Sequence, residues 1–215
     1  MSNDQVMIRP FRPDDRAVIR RISYETSFLE SPQLFVNDQD VVADALTRYF
    51  TDFEPDASFV AEENGSVIGY LTGAVDARAM DETIRRKILP GVAGRLLARR
   101  LILEKNVAGL VWHSFVSFWE GEFHMPDFSP EFPSTFHINL DRAARGHAVG
   151  RKLVRHFEDF LKAKGIPGVH VRTMSEEAME FFRRVGYEII FQSRRSFLKY
   201  RLGRVFNYYV LGKRL

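Results

Sequence analysis

The chain has 215 residues, 45% of them hydrophobic, 27% charged and 13% aromatic, which supplies one sizeable core and excludes a compositionally disordered chain. Lys and Arg number 31 against 28 Asp and Glu, so the net charge of +3 does not call for nucleic acid as a partner, and no zinc-finger or other nucleic-acid-binding signature occurs. With no cysteine, disulfide scaffolds, thiolate metal sites and cysteine nucleophiles are excluded together, and the cytoplasm is the expected location.

The opening MSNDQVMIRPF is polar and then alternating, without the basic start and apolar core of an export signal. Val6, Ile8 and Phe11 mark a strand, and Pro13-Asp14-Asp15 starts a helix over residues 17–27 with Val18, Ile19 and Ile22 at helical spacing. A second helix, residues 38–53, carries Val41, Val42, Ala45, Leu46, Tyr49 and Phe50 on one face. Tyr24 and Tyr49 on these helices either border a pocket or pack in the core. Residues 58–62 and 67–75 are β-rich runs joined through Asn64-Gly65, the dipeptide of a tight hairpin turn.

The pattern changes over residues 76–134. Helical segments are predicted at 82–89, 95–105 and 110–119, followed by the Pro- and Phe-rich MPDFSPEFPS. This stretch reads as a helical insertion. Its uncharged run, residues 107–119, falls short of the roughly 20 residues of a membrane span, so no transmembrane segment is expected. Arg85, Arg86, Lys87, Arg95, Arg99, Arg100 and Lys105 accompany Trp112, Phe115, Phe118 and Trp119. The combination suits a lid, a homodimer surface, an amphipathic membrane-surface helix or a plain helical hairpin. His113 and His124 lie near Glu120, Glu122 and Asp127 without a recognised ligand spacing, and no metal is expected. Beyond the insertion come a strand at 135–140, a helix at 150–164, a strand at 168–173, a helix at 175–185 closed by Gly186, and strands at 187–192 and 205–211.

The most informative segment is HINLDRAARGHAVGRKLVRHF, where an apolar strand enters the turn Arg145-Gly146-His147-Ala148-Val149-Gly150 and becomes a helix. Small residues allow close backbone approach, and the free N–H groups of a helix start suit phosphate oxygens. The turn matches neither GxxxxGK[ST] nor GxGxxG, which disfavours ATP and NAD. An ordinary strand-to-helix turn with a packing glycine accounts for it equally well.

This segment, followed by GVHVRTMSEEAMEFFRRVGYEII and preceded by TRYFTDFEPDASFVAEENGSVIGYLTG, resembles the GNAT superfamily of acyl-CoA-dependent N-acyltransferases. The resemblance implies one α/β domain over residues 1–215, with a mixed, splayed central sheet flanked by helices and the insertion between strands three and four. It implies an N-acetyltransferase that uses acetyl-CoA as donor and a primary amine, expected in a small molecule, as acceptor, by direct attack in a ternary complex. The pyrophosphate-loop pattern Arg/Gln-x-x-Gly-x-Gly/Ala falls on Arg145, Ala148 and Gly150, with alanine where glycine is usual at 148. Amides of Gly146, His147, Ala148, Val149, Gly150 and Arg151 would meet the pyrophosphate, and the Arg151, Lys152 and His147 side chains either meet outer phosphates or are solvated. The pantetheine arm would run beside Ile138, Asn139 and Leu140, with the Leu140 N–H polarising the thioester carbonyl.

At Phe182 the family often carries a tyrosine that protonates the leaving thiolate, so the usual general acid is missing from this cofactor-binding position. Ser175 stands where asparagine is common and suffices as a helix N-cap. His137 and Asn139 share one strand face. Either His137 accepts the amine proton while Asn139 orients the amine, or the two are a polar pair satisfied in the core; His170 is the weaker candidate base. Phe182 and Ala148 together favour an alternative, a catalytically weak acyl-CoA sensor module that binds a partner through its insertion. A third reading is an enzyme for a longer acyl donor.

Overall fold

The computed structural model of the protein describes residues 6–144 and 148–215. Its strands are β1 (Val6–Pro10), β2 (Ser58–Glu63), β3 (Ser66–Ala74), β4 (Ser134–Leu140), β5 (Gly168–Thr173), β6 (Glu188–Arg195) and β7 (Phe206–Arg214). They form one sheet in the order β1-β2-β3-β4-β5-β7-β6. Every neighbouring pair is antiparallel except β4 and β5. The β2–β3 hairpin turns as the Asn-Gly dipeptide dictates, with φ of 51° at Asn64 and 77° at Gly65.

The helices are α1 (Arg16–Glu30), α2 (Gln39–Asp52), α3 (Ala77–Thr83), α4 (Leu89–Ala98), α5 (Lys105–Trp119), α6 (Val149–Ala163), α7 (Glu176–Arg184) and the short α8 (Lys199–Leu202). Strand alternation divides them between two faces. Phe59, Ala61, Leu71, Phe136, Val169, Val171 and Leu211 point to one face, where Leu153, Phe157 and Leu161 of α6 and Met179 and Phe182 of α7 complete the core. Val60 and Tyr70 point to the other, against Ile19 and Ile22 of α1. On that second face α2, α4 and α5 share a cluster with Phe35, Leu198 and Phe206. Asp38 caps α2 by accepting the Val41 N–H at 3.0 Å, and Ser175 caps α7 by accepting the Ala178 N–H at 3.2 Å.

Residues between β3 and β4 are helical, as the sequence predicts, but the boundaries differ. The expected continuous helix over 95–105 breaks after Ala98, because Arg100 adopts a left-handed φ of 56° and the chain turns before α5 begins at Lys105. One wide turn, Ile84–Ile88, joins α3 to α4. At the end of α1 the helical path is lost, with ψ of 160° at Ser27 and φ of 48°, 56° and 64° at Phe28, Leu29 and Glu30. The sequence also gives no sign of α8, nor that β7 inserts between β5 and β6.

Candidate functional site

The parallel pair opens almost at once: β4 and β5 are in register only at Ser134–Val169 and Thr135–His170. Beyond these residues the strands diverge, while β4 stays paired to β3 as far as Leu140–Gly69. The Asp141 N–H donates to the Ile68 carbonyl at 2.8 Å, which fixes the phase of the β3–β4 ladder. In an antiparallel ladder the residues that exchange bonds alternate, so His137 and Asn139 direct their backbone groups to β3. The N–H groups of Ile138 and Leu140 then point into the gap left by β5. An extended chain of amides laid along this edge would find strand-like donors and acceptors.

The start of α6 faces the same gap. Val149 and Gly150 are buried, Lys152 is half-buried and Arg151 is exposed. A Cβ at Gly150 would sit 3.1 Å from the Phe181 ring and 3.7 Å from Leu140, so glycine here sets the approach of α6 to β4 and α7. Ala148 precedes the helix with φ of 60° and ψ of 3°, the left-handed conformation that glycine adopts without strain. Its carbonyl accepts the Lys152 N–H at 3.1 Å. The N–H groups of the first turn have no acceptor within the helix, and together with the helix dipole they suit a phosphate. Arg145, Gly146 and His147, expected to line this turn, lie outside the described residues.

His137 and Asn139 project to the α1 side of the sheet. Asn139 Nδ2 donates to the Tyr70 hydroxyl at 2.8 Å and lies 3.3 Å from His137 Nε2. The Tyr70 ring meets the His137 ring edge-on at 6.3 Å. Tyr70 is fully buried, and burial pushes its hydroxyl up to about 12. The neighbouring Ser23 and Asn139 side chains oppose that rise. His137 keeps a little surface in solvent, but the protein packed around it desolvates the imidazolium and lowers its pKa to about 4. It is neutral at pH 7, and with Nε2 facing the Asn139 amide its proton belongs on Nδ1.

The other expected positions separate into packing and placement. Phe182 is only 3% exposed and packs against Phe136 and Tyr187, with ring centroids 5.8 and 5.7 Å away. Ser175 is the α7 cap, and its N–H donates to Thr173 Oγ1 at 3.0 Å. His170 is buried, with Nδ1 on the Phe132 carbonyl at 2.9 Å, and burial lowers it to about 4. Tyr49 donates to Glu54 at 2.8 Å, and the Tyr24 hydroxyl lies 3.4 Å from Asn37 Oδ1. In the insertion, His113 stacks on Tyr200 at 4.4 Å, Glu122 accepts the Ser196 N–H at 2.8 Å, and Asp127 pairs with Arg78.

Three residues on the His137 side of the sheet escaped the sequence reading: Tyr70, Arg172 and Arg195. The signal for Arg172 is the polar alternation of His170 and Arg172 within the apolar run of β5. A hollow of about 660 Å³ between Phe128, Phe132, Ile190 and Arg214 lies at the closed end of the β4–β5 pair and away from these groups. The divergence of the strands, rather than that hollow, brings the chemically capable residues together.

Comparison with known proteins agrees with this geometry. The family model described as Acetyltransferase (GNAT) family matches residues 25–187. The crystal structure of SsHAT superposes with a TM-score of 0.69 at 25% identity and covers 98% of each chain. A Drosophila melanogaster polyamine N-acetyltransferase gives a TM-score of 0.59 at 14% identity, over 98% of this chain and 100% of the other. The yncA protein of Salmonella typhimurium, a putative acetyltransferase described with its cofactor acetyl-CoA, gives 0.58 at 15% identity, over 99% and 95%. The last two likenesses speak for the fold alone, but the matched stretch runs from α1 through the splayed strands and the α6 turn to Tyr187, and the chain belongs to the GNAT acetyltransferase family.

Proposed function

We propose that the protein transfers an acetyl group from acetyl-CoA to a primary amine of a small molecule, by direct attack within a ternary complex. The observation that carries this reading is the outward edge of β4, with the N–H groups of Ile138 and Leu140 directed into a gap that ends at the start of α6. The pantetheine amides lie along Ile138, Asn139 and Leu140, and the pyrophosphate sits on the turn from Arg145 to Gly150 and the amide of Arg151. Lys152 flanks it, and Ser175 and the Phe182 ring close the far wall behind the arm. The Leu140 N–H polarises the thioester carbonyl.

The amine nitrogen attacks the carbonyl carbon, a C–N bond forms, and the C–S bond breaks with its electron pair leaving on sulfur. Desolvation keeps His137 unprotonated and able to accept a hydrogen bond from the amine once Asn139 releases Nε2. The same burial makes the imidazolium a strong acid, so the proton passes on to water. Phe182 has no proton to give, and solvent neutralises the thiolate. No cysteine is present to form an acyl-enzyme. Among the described residues no helix is long and apolar enough to cross a membrane, and we place the enzyme in the cytoplasm.

The exposed face of α5 carries Val111, Trp112, Phe115, Phe118 and Trp119 with no charged side chain among them. We assign this stripe to a homodimer contact, since a self-complementary apolar surface requires no opposite charge on its partner.

Calorimetric titration with acetyl-CoA and CoA, followed by thiol release against a panel of amines, tests the function. Binding with amine-dependent thiol release supports the transferase. Binding with no turnover on any amine refutes it in favour of the sensor module, and absence of binding removes the coenzyme site.

A further inference from the structure

On the His137 side of the sheet, two guanidinium groups end in N–H donors that no acceptor among the described residues meets. Arg195 is 2% exposed, lies over the Tyr208 ring at 4.3 Å, and has the Phe123 ring 5.5 Å away. Its Nη1 donates to Ser193 Oγ at 2.6 Å and to the Arg194 carbonyl at 3.2 Å, while Nη2 is buried without a hydrogen-bond partner among the described residues. Arg172 is in the same position at Nε. Its Nη2 lies 3.3 Å from His170 Nε2 and 3.8 Å from Asp81. The carboxylates nearby are committed elsewhere or distant: Glu122 accepts the Ser196 N–H, and Asp127 is paired with Arg78. Asp81 and Glu122 offset the two cations by number but leave both N–H groups unmet, and a buried charged donor without an acceptor is strongly unfavourable.

The placement of Arg172 is informative. Extending the register of Ser134–Val169 and Thr135–His170 puts Arg172 level with His137 across the opening between β4 and β5. Both side chains emerge on the α1 side, since Val169 and Val171 point to the opposite core. Arg172 pairs with Val210 of β7, and Tyr208, two residues along β7 on the same face, carries Arg195 on its ring. Both guanidiniums also act on the Tyr208 hydroxyl, drawing its pKa down against the burial that raises it. A row thus runs from Asn139 and His137, where an amine would react, to Arg172 and then Tyr208 and Arg195.

We propose that this row recognises a carboxylate on the acceptor, received by Arg172 with Arg195 behind it, so that the acceptor is a compact amino acid whose amine then faces His137. The inference rests on the transferase reading. Arg suits the task because its planar fork binds a carboxylate through two parallel hydrogen bonds.

The test compares L-phenylalanine with phenethylamine and L-methionine with 3-(methylthio)propylamine, using the purified full-length protein and acetyl-CoA. The carboxylate-bearing member of each pair is expected to have a KM lower by about tenfold or more, the worth of a charge-assisted hydrogen bond. Arg172→Gln is expected to erase that preference mainly through KM, with kcat changing less. Arg195→Lys, which keeps the charge and loses the fork, is expected to weaken it in the same direction; circular dichroism checks that each variant folds. Equal use of both members of each pair, or a preference that survives Arg172→Gln, overturns the proposal while the transferase stands. Thermal shifts with L-phenylalanine, sodium acetate and inorganic phosphate separate the remaining cases. Stabilisation by L-phenylalanine that is lost in Arg172→Gln, with no turnover on any amine, retains the carboxylate site and removes the transferase. Stabilisation by acetate or phosphate at equal strength overturns recognition of an amino acid.

Discussion

Replacing Ala148 by glycine examines the turn that opens α6. Ala148 holds φ of 60° and ψ of 3°, where the Cβ of an L-residue crowds the following carbonyl and costs roughly 1–2 kcal/mol. Glycine removes that strain but brings back about 0.5–1 kcal/mol of backbone entropy in the unfolded chain. The balance is a gain of about 0.5–1 kcal/mol, which for a chain of this size raises Tm by roughly 1–4 °C. Strain incurred on folding rather than on binding leaves coenzyme affinity changed by less than about threefold. Differential scanning fluorimetry and calorimetric titration with CoA read the two effects separately. A lower Tm would refute the strain argument. An unchanged Tm with affinity improved about tenfold would show that the turn takes this shape only when coenzyme binds.

Gly150→Trp should abolish CoA binding while the fold, followed by circular dichroism, survives, because the indole must leave the crowded contact with Phe181 and Leu140 toward the amides of α6; unchanged affinity would remove the pyrophosphate assignment. Phe182→Tyr should destabilise the protein by about 1–3 kcal/mol by burying a hydroxyl between Phe136 and Tyr187, without raising kcat; a faster enzyme would mean that the ring reaches the thiolate. His137 has a folded pKa of about 4 against about 6.5 when unfolded. The unfolded chain therefore binds a proton that the folded one does not, stability rises with pH across this window, and it is lost as pH falls below about 6.5. His137→Gln should remove about 1–2 kcal/mol of the stability difference between pH 5 and pH 7.5 in urea titrations, and an unaltered pH dependence would show that the imidazole is solvated. Phe115→Glu on the α5 stripe should convert a dimer to a monomer in sedimentation velocity, and a wild-type monomer would dispose of that contact.

Much of the frame was legible because it follows from local chemistry. Asn64-Gly65 requires the hairpin between β2 and β3, Asp38 and Ser175 cap helices, and the alternation of β4 puts His137 and Asn139 on one face whatever packs against them. The small residues leading into α6 identify the turn without reference to the rest of the molecule. Other features depend on partners far away in sequence. Phe182 reads as a missing general acid beside the coenzyme, and only the fold shows that Phe136 and Tyr187 also pack against its ring. His137 reads either as a base or as half of a core polar pair with Asn139, and only its surroundings show that desolvation makes it a very weak base. The break at Arg100 interrupts a run that periodicity alone continues.

The sequence by itself determined the succession of the seven strands and the larger helices between them, and the pair His137–Asn139, because periodicity, caps and turn residues act over a few positions. Only the tertiary structure decided that β7 lies between β5 and β6, that Tyr70 backs Asn139, and that Arg172 and Arg195 meet around Tyr208 with donors unfilled. Those contacts join segments that are distant along the chain, and no local pattern encodes which buried N–H will lack an acceptor among the described residues.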